Sequence, residues 1–377
     1  MSRLRDLLRG ARVPLLAILA AFALGAILIV LTDFDHLRLL GSDPGGAIGG
    51  AVDLVLRGYG AMLSGAIGDP GRIVRALQSG TERDIASAIR PLTEALLFST
   101  PLIFLSLGVG VSFQAGLFNL GGNGQFLIGG LGATIGASVV GGLVPPFAVL
   151  IAALATGTLF GAAYGFLPGL LKARTGAHEV ITTLMLNTIA AQIVIYAVRN
   201  GAFSRPATAA VPRLVDLPTI RLDWSFVVAL LMAAVVSFVL FRTSLGFELR
   251  ATGFSRTVSR YAGMRPGRVT VLAMSLSGGL AGMGGAFLTL GPAGGLGPGA
   301  GLVALALALI GGLRPSGIVL VAILYGALNN GAKTMVIATG IPLDLLVVVI
   351  ALALTFVAAP GLIGSVLRRP GRSPAAG

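Results

Sequence analysis

Cysteine is absent from the sequence, and only two histidines, His36 and His178, occur among its 377 residues. Without thiols the chain can form neither a disulfide framework nor a thiolate metal site, and two histidines do not make a histidine-rich metal centre. We therefore expect this chain to bind no metal.

Charged residues are also scarce, at 11% of the chain, whereas 55% of residues are apolar and the mean hydropathy is +0.94. A water-soluble domain needs far more polar residues to cover its surface. The apolar residues form runs of about twenty, the length of helix that crosses the hydrocarbon of a bilayer. Because backbone groups in lipid must pair internally, we predict an all-α, polytopic membrane protein with broken or re-entrant segments.

About ten membrane spans can be drawn from the apolar runs, with both chain ends in the cytoplasm. The first run, which follows a basic segment 1–12, is too long for a signal-peptide core and lacks a small-residue cleavage site. We interpret it as an uncleaved span. Residues 299–332 can also be drawn as one bent span. The predicted spans are 13–31, 92–112, 122–142, 146–171, 180–198, 224–241, 269–290, 299–313, 315–332 and 341–359.

The basic residues are distributed unevenly between the two sides of this topology. Sixteen of the 27 lysines and arginines fall in the predicted cytoplasmic segments, with only three of the 14 acidic residues. An excess of Lys and Arg in short inner loops is the positive-inside pattern of membrane proteins. The net charge of +13 is therefore explained by the orientation of the chain in the membrane, with its basic loops in the cytoplasm. We expect no nucleic-acid partner.

The predicted extracytoplasmic segment, 32–91, contains a moderately apolar run from Ala47 to Gly68 that is interrupted by Asp53 and Arg57. Charges inside a span are costly, so we expect this run to lie on the membrane surface or to pack outside the membrane. Residues 69–90 are polar enough to be water-exposed. Residues 92–359 are predicted to form the core helical bundle, and residues 1–377 a single transmembrane domain.

Glycines recur every four residues in two of the predicted spans. This spacing lets two helix backbones approach closely in lipid. We expect these glycines to pack helices within the bundle, with dimerisation as the alternative. They are Gly157, Gly161 and Gly165, and Gly278 and Gly282.

Motifs of catalysis are missing from the sequence. It contains no phosphate loop, no zinc-protease helix and no serine nucleophile elbow, so we expect neither an enzyme nor an ATP site in this chain. No carboxylate or lysine falls in the middle of a predicted span, which disfavours a proton-driven carrier. Sodium coupling through carbonyls and hydroxyls stays open.

Amide side chains are frequent near the ends of the spans. An amide in lipid needs a hydrogen-bond partner, which is either another helix or a water-filled path. Glycines and amides from Phe118 to Gln125 predict a broken helix, and broken helices often line substrate paths. The amides are Asn119, Asn123, Gln125, Asn187, Asn329 and Asn330.

The longest predicted cytoplasmic loop, 242–268, carries six arginines and apolar residues at intervals of three and four. This pattern predicts a short amphipathic helix with a basic face. Such a helix either lies on anionic lipid or docks a cytoplasmic protein. The apolar positions are Phe247, Ala251, Phe254, Val258 and Tyr261.

Four segments of the sequence resemble the permease subunits of ABC importers, over roughly residues 90–358. The loop residues Gly246, Arg250, Ala251 and Gly253 are similar to that family's coupling helix, which seats in the ATP-binding subunit. The segment from Asn119 to Gln125 resembles a signature of the branch that imports nucleosides, close to the ribose and branched-chain amino acid permeases. Further similar segments are 179–187 and 326–331.

The chain departs from the family pattern at a few positions. Ser255 stands where the coupling loop usually has Asn, and Val258 and Ser259 replace a pair of alanines. Asn123 replaces the acidic residue of the nucleoside-branch signature. The first changes leave docking plausible, whereas the last leaves open whether residue 123 contacts the solute.

The resemblance implies an importer in a bacterial inner membrane that carries a neutral nucleoside delivered by an external binding protein. It also implies a second, different permease chain, and an ABC ATP-binding subunit that holds ATP and Mg²⁺. For coupling to that subunit we select Glu248, with a local ion pair, and Arg250, Ala251, Gly253, Arg256 and Arg260. For the substrate path we select Asn119, Asn123, Gln125, Thr183 and Asn187.

Other functions remain compatible with the sequence. Within the same family, a pentose or a branched-chain amino acid is the alternative substrate. A sodium-driven secondary transporter would work without an ATPase, and a membrane scaffold protein would move no solute.

Overall fold

A computed structural model describes residues 19–39, 41–201, 210–214, 220–291 and 299–358. These residues form helices, and within them we find no strand, only an isolated bridge between Arg213 and Asp223. The helices are α1 Leu19–Thr32, α2 Phe34–Leu39, α3 Pro44–Ala66, α4 Pro70–Ser79, α5 Glu82–Gln114, α6 Gly122–Val140, α7 Pro146–Thr175, α8 Glu179–Arg199, α9 Trp224–Arg242, α10 Ser244–Phe254, α11 Arg256–Tyr261, α12 Pro266–Leu290, α13 Ala300–Ile310, α14 Pro315–Thr339 and α15 Leu343–Ala358.

Six of the described helices are long and apolar enough to cross a membrane, namely α5, α7, α8, α9, α12 and α14. The prediction of an all-α, polytopic membrane protein is therefore confirmed. Helices α1, α13 and α15 also coincide with predicted spans but are shorter, and α6 is rich in glycine. Both chain termini lie outside the described residues, so their cytoplasmic placement stays a prediction.

Contacts divide the chain into two compact units, residues 76–326 and residues 1–75 with 327–377. In the first unit α12 packs against α7 and α6, and the contacts are made largely by glycine. A Cβ atom added to Gly161 would lie 2.6 Å from the Cα of Gly282, and one added to Gly165 would lie 3.1 Å from the Cα of Gly278. The structure therefore assigns the regularly spaced glycines to packing inside this chain.

Helix α6 completes this contact from the other side. A Cβ atom added to Gly129 would lie 2.7 Å from the carbonyl carbon of Gly282, and one added to Gly285 would lie 3.0 Å from the backbone nitrogen of Gly130. Three helix backbones thus approach more closely than any side chain permits.

The second unit contains α3, the helix that the sequence placed on the membrane surface or in a packed position outside it. Tyr59 on α3 donates a hydrogen bond of 2.6 Å to the carbonyl of Phe22 on α1. The Asn330 amide of α14 donates to the carbonyl of Gly65 at 2.8 Å. Helix α3 is therefore packed against other helices, and Asn330 serves as a contact between helices.

The structure revises the start of one predicted span and decides between the two interpretations of residues 299–332. Helix α5 begins at Glu82, ten residues before the predicted span, because Thr81 caps it by accepting a hydrogen bond from the Asp84 backbone N–H at 3.3 Å. Residues 299–332 do not form one bent span, since α13 ends at Ile310 and α14 begins at Pro315. Hydropathy alone could not locate these ends.

Neighbouring glycines on α12 give a matched test of the packing. A Cβ added to Gly278 would lie 3.0 Å from the Cα of Gly165, whereas one added to Gly279 would lie 3.5 Å from the Cβ of Ala162. We expect Gly278→Ala to lower the stability of the purified protein by about 1–3 kcal/mol through overpacking. Gly279→Ala should leave the melting temperature in detergent unchanged, and equal melting of the two variants would contradict this packing.

Candidate functional site

The segment between α5 and α6, residues 115–121, is not helical. It leaves α5 through Gly116, whose φ of +70° lies in the left-handed region that favours glycine. Helix α6 then begins at Gly122. The glycines and amides of this segment thus mark an interruption between two helices, at the place where the sequence predicted a broken helix.

Asn119 lies at the centre of this segment and is 1% exposed. Its amide nitrogen donates to Oε1 of Gln125 at 2.9 Å and to Oγ of Ser277 at 2.8 Å. Its carbonyl oxygen accepts from the Gly121 backbone N–H at 2.9 Å and from Nε2 of Gln125 at 3.3 Å. The two amides therefore saturate each other and tie the segment to α12.

Asn187 ties the same segment to α8. Its amide nitrogen donates to the carbonyl of Leu120 at 2.8 Å, and its amide oxygen accepts from the Gly124 backbone N–H at 2.8 Å. Thr183, one turn earlier on α8, is fully buried and donates to the carbonyl of Glu179 at 2.7 Å. A Cβ on Gly121 would lie 3.0 Å from the Cβ of Thr183, so the turn packs directly on α8.

Asn123 differs from the other four residues that the sequence assigned to the substrate path. It is half-buried, and its side chain makes no hydrogen bond to the described part of the chain. The structure brings Asn119, Gln125, Thr183 and Asn187 together, but their polar groups already bind one another or the backbone. These four residues form a structural lock, which we call the amide lock, because a solute could bind them only by breaking existing hydrogen bonds.

Three carboxylates of the bundle are paired or used as caps. Lys172 forms an ion pair of 2.7 Å with Glu179 across the turn from α7 to α8, and Arg221 forms one with Glu94. Asp223 caps α9 by accepting from the Ser225 backbone N–H at 3.0 Å. Burial raises the pKa of Asp223, although the hydrogen bonds from Ser225 act in the opposite direction.

The predicted cytoplasmic loop forms two helices, α10 and α11, where the sequence predicted one amphipathic helix. Ser255 separates them: it ends α10 and caps α11, accepting a hydrogen bond from the Val258 backbone N–H at 3.3 Å. Ser and Asn are both good residues for this position, since either side chain can accept from the first turn. The family's usual Asn and the Ser255 of this chain are therefore equivalent as helix caps.

Gly253 on α10 faces the protein. A Cβ atom there would lie 2.9 Å from the backbone nitrogen of Gly116 and 3.0 Å from the carbonyl carbon of Ala115. The absence of a side chain lets α10 pack on the turn that follows α5. The sequence selected Gly253 for seating a partner, but in the structure its smallness serves contact within the chain.

The arginines of the loop divide into two groups. Arg250 lies 5.2 Å from the ring centre of Phe241 and donates to the Gly246 carbonyl at 3.3 Å. Arg256 donates to Oγ1 of Thr270 on α12 at 2.7 Å. Arg260 is exposed. Arg250 and Arg256 thus hold the loop to its own chain, although Arg256 is exposed as well, whereas Arg260 makes no side-chain hydrogen bond or ion pair with the residues that the structure describes.

Two further residues of the predicted coupling set, Glu248 and Ala251, lie on α10. Glu248 is half-buried and makes no ion pair with any residue that the structure describes, so the expected local pair is not found. Ala251 is half-buried on α10. Neither presents a large surface to another protein.

Three large apolar side chains of the loop, in contrast, are exposed. Phe254 is 93% exposed, Tyr261 is 90% exposed and Val258 is 64% exposed. Aromatic residues of this kind, with an arginine beside them, are enriched where proteins bind one another. The periodicity of the sequence had marked these three positions as apolar, and only the structure shows that nothing in the described chain covers them. We call Phe254, Val258, Arg260 and Tyr261 the loop surface.

The amide lock predicts a difference between two neighbouring asparagines. Asn119→Leu would leave Gln125 and Ser277 without partners in a buried site, which should cost about 1–3 kcal/mol of stability. Asn123→Leu removes no hydrogen bond and should melt like the unaltered protein. Thermal unfolding in detergent measures both. Equal stability of the two variants would show that Asn119 is not a structural residue.

Comparison with known proteins relates this arrangement to one group. Residues 92–359 match the family model described as the permease component of branched-chain amino acid transport systems. The guanosine ABC transporter permease protein NupP of Bacillus subtilis (strain 168) is 33% identical over 92% of both chains. The nucleoside ABC transporter permease protein NupB of Lactococcus lactis subsp. cremoris is 28% identical over 93% of this chain and 91% of its own.

A third relative is named for a different solute. The glucose ABC transporter permease protein TsgB13 of Haloferax volcanii is 31% identical over 70% of this chain and 75% of its own. The match to the family model covers most of α5 and all of the helices α6 to α15, including the amide lock and the loop surface. The chain is a multi-pass membrane protein that belongs to the ABC transporter permease family of branched-chain amino acid transport systems, whose members are transport components rather than catalytic subunits.

Proposed function

We propose that this chain forms the membrane path of an ABC importer that takes up nucleosides. The two relatives that match more than nine-tenths of it are named for guanosine and for nucleosides. The glucose permease matches a smaller share. A nucleoside is neutral and rich in hydroxyls, which suits a bundle whose described buried charges are paired or serve as caps.

The exposed residues of the loop surface support the second part of this proposal, that the chain docks a separate ATP-binding subunit. The sequence contains no phosphate loop, so ATP and Mg²⁺ must be bound elsewhere in an ATP-driven importer. Phe254 and Tyr261 offer aromatic anchors to a cytoplasmic ATP-binding subunit, and Arg260 adds a donor at their side. Because Gly253 lets α10 pack on the end of α5, a movement of the loop is transmitted to the helix bundle through this contact.

The remaining partners follow from the same family. An external binding protein delivers the nucleoside, and a second permease chain encloses the path in a bacterial inner membrane. Two different guanosine permease proteins of Bacillus subtilis, NupP and NupQ, both resemble this chain. The resemblance to two different permeases of one bacterium supports the pairing of this chain with a second, different permease.

The loop surface can be tested without disturbing the fold, because its anchors are almost fully exposed. We expect Phe254→Ala and Tyr261→Ala each to weaken binding of the ATP-binding subunit by about 2 kcal/mol, as at other interface anchors. The measurement is the amount of that subunit recovered with the tagged chain in mild detergent. Leu77→Ala, at an 81% exposed residue of α4, is the control and should keep the subunit. Full recovery with both loop variants would reject the docking assignment.

Uptake by the native host tests the solute. Deleting this chain should abolish binding-protein-dependent uptake of radiolabelled guanosine and uridine, because no path remains. Uptake of ribose and leucine should be unaffected. Loss of leucine or ribose uptake instead would favour the alternative substrates. Sodium-dependent uptake by the chain alone in proteoliposomes would favour a secondary transporter.

A further inference from the structure

The turn between α13 and α14, residues 311–314, is fixed by hydrogen bonds within the chain. The backbone N–H groups of its first three residues donate to the last carbonyls of α13, at 2.9 Å each. The N–H of Arg314 donates to the Gly311 carbonyl at 3.4 Å, and the Arg314 carbonyl accepts from the Ile318 N–H of α14 at 2.9 Å. This turn, which we call the α13–α14 turn, therefore has a defined backbone.

Two neighbouring residues of the α13–α14 turn depart from local preference. Leu313 has a φ of +56°, and no other non-glycine residue that the structure describes has a positive φ. A side chain is strained in this left-handed region. Arg314 directly precedes α14, where acidic and hydroxyl side chains are favoured because the helix dipole is positive at this end. Local conflicts of this kind are expected where a segment serves a function.

The last residue of α5 joins this turn to the predicted cytoplasmic loop. The Gln114 amide nitrogen donates to the Leu313 carbonyl at 3.2 Å. The backbone of the same residue packs on α10, since a Cβ atom on Gly253 would overlap the Gln114 carbonyl oxygen. A Cβ on Gly110 of α5 would lie 3.0 Å from Cδ1 of Ile318 in the first turn of α14. The α13–α14 turn and the loop therefore lie at the same end of the bundle.

The exposed charges at this end have one sign. In the described parts of the predicted cytoplasmic segments, every exposed Lys, Arg, Asp or Glu residue is an arginine. Glu179 is buried in its ion pair with Lys172, and Glu248 is half-buried. The Arg314 side chain is exposed and makes no hydrogen bond or ion pair with the residues that the structure describes. A partner at this end is therefore expected to present acidic groups.

A rigid turn beside aromatic anchors fits a protein partner. Protein interfaces have an apolar and aromatic centre with a polar rim, and a preformed backbone loses less entropy when the partner binds. Phe254 and Tyr261 of the loop surface are the exposed aromatic residues at this end. Arg314 has the chemistry of the rim around them. A lipid headgroup would bind the same charge, but it would not require a strained, fixed backbone.

We propose that the α13–α14 turn is a second contact for the cytoplasmic ATP-binding subunit. Arg314 pairs there with a carboxylate of that subunit, at the rim of the interface centred on the loop surface. Gln114 is a positioning residue, because it holds the turn through the Leu313 carbonyl. This inference rests on the proposed function. It gives the ATP-binding subunit a contact at the start of α14 besides the one on α10 and α11.

Variants of Arg314 test the charge. Arg314→Glu should lower the recovery of the ATP-binding subunit with the tagged chain severalfold, in mild detergent at low salt. Arg314→Lys should keep the subunit because the charge remains. Since salt screens charges at a rim, the loss should become smaller at high salt. The melting temperature of Arg314→Glu should not fall, because Glu is favoured before a helix.

Another exposed arginine supplies the matched control. Arg174 lies in the last turn of α7, on the same predicted side of the membrane. Arg174→Glu makes the same change of charge and should keep the ATP-binding subunit. Full recovery with Arg314→Glu would overturn the inference. Equal loss with Arg174→Glu would also overturn it, because the general positive charge of this side would then be responsible.

A photoreactive residue identifies the partner directly. Benzoylphenylalanine is introduced at position 314, or at position 174 as the control, with the importer complete in its native host. Illumination should link position 314 to the ATP-binding subunit severalfold more than position 174. Adducts with lipid and none with that subunit would mean that the turn lies on the membrane surface, and the inference would be wrong.

The variants of the loop surface separate this inference from the proposed function. If Phe254→Ala and Tyr261→Ala release the ATP-binding subunit while Arg314→Glu keeps it, the inference fails and the proposed function stands. If no ATP-binding subunit is recovered even with the unaltered chain, the proposed function itself fails.

Discussion

The contact between glycine backbones of α6, α7 and α12 is the interaction on which the rest of the described bundle depends. In lipid there is little hydrophobic gain from bringing two helices together, so association relies on close van der Waals contact and on hydrogen bonds. Gly161 and Gly165 meet Gly282 and Gly278 with no room for a Cβ atom. This contact sets the distance between the helices, and the polar groups beside it can then bind at ordinary hydrogen-bond lengths.

The amide lock follows directly from that spacing. Ser277, which receives a hydrogen bond from Asn119, is the residue before Gly278 on α12. Asn119 lies in the turn that begins where α10 packs through Gly253 onto Gly116, and Asn187 fastens the end of the same turn to α8. One short segment is therefore in contact with the predicted cytoplasmic loop, the glycine core and helix α8. Such a connection suits a protein in which work done at the loop must reach the solute path.

Several of the functional residues predicted from the sequence make contacts within the chain that the sequence did not reveal. Asn119 and Gln125 were chosen because amides in membranes need partners, and each proves to be the partner of the other. Gly253 was chosen for a contact with another protein and makes one within the chain. Phe254 and Tyr261 could be recognised as apolar from their spacing, but their exposure depends on what else packs against α10 and α11. Sequence reports the chemistry of a residue, whereas burial depends on residues distant in the chain.

The sequence by itself determined that this chain is an all-α membrane protein without catalytic motifs, because runs of apolar residues can satisfy their backbone in lipid only as helices. Its motifs also resembled the transporter family to which the chain belongs. Only the tertiary structure decided which polar groups are saturated and which are free. Asn187 and Gln192 lie five residues apart on α8, yet about 140° of helical rotation places one against a backbone and the other on the exposed face of the helix. That difference arises from which face of α8 meets α6 and α7, and no local pattern encodes it.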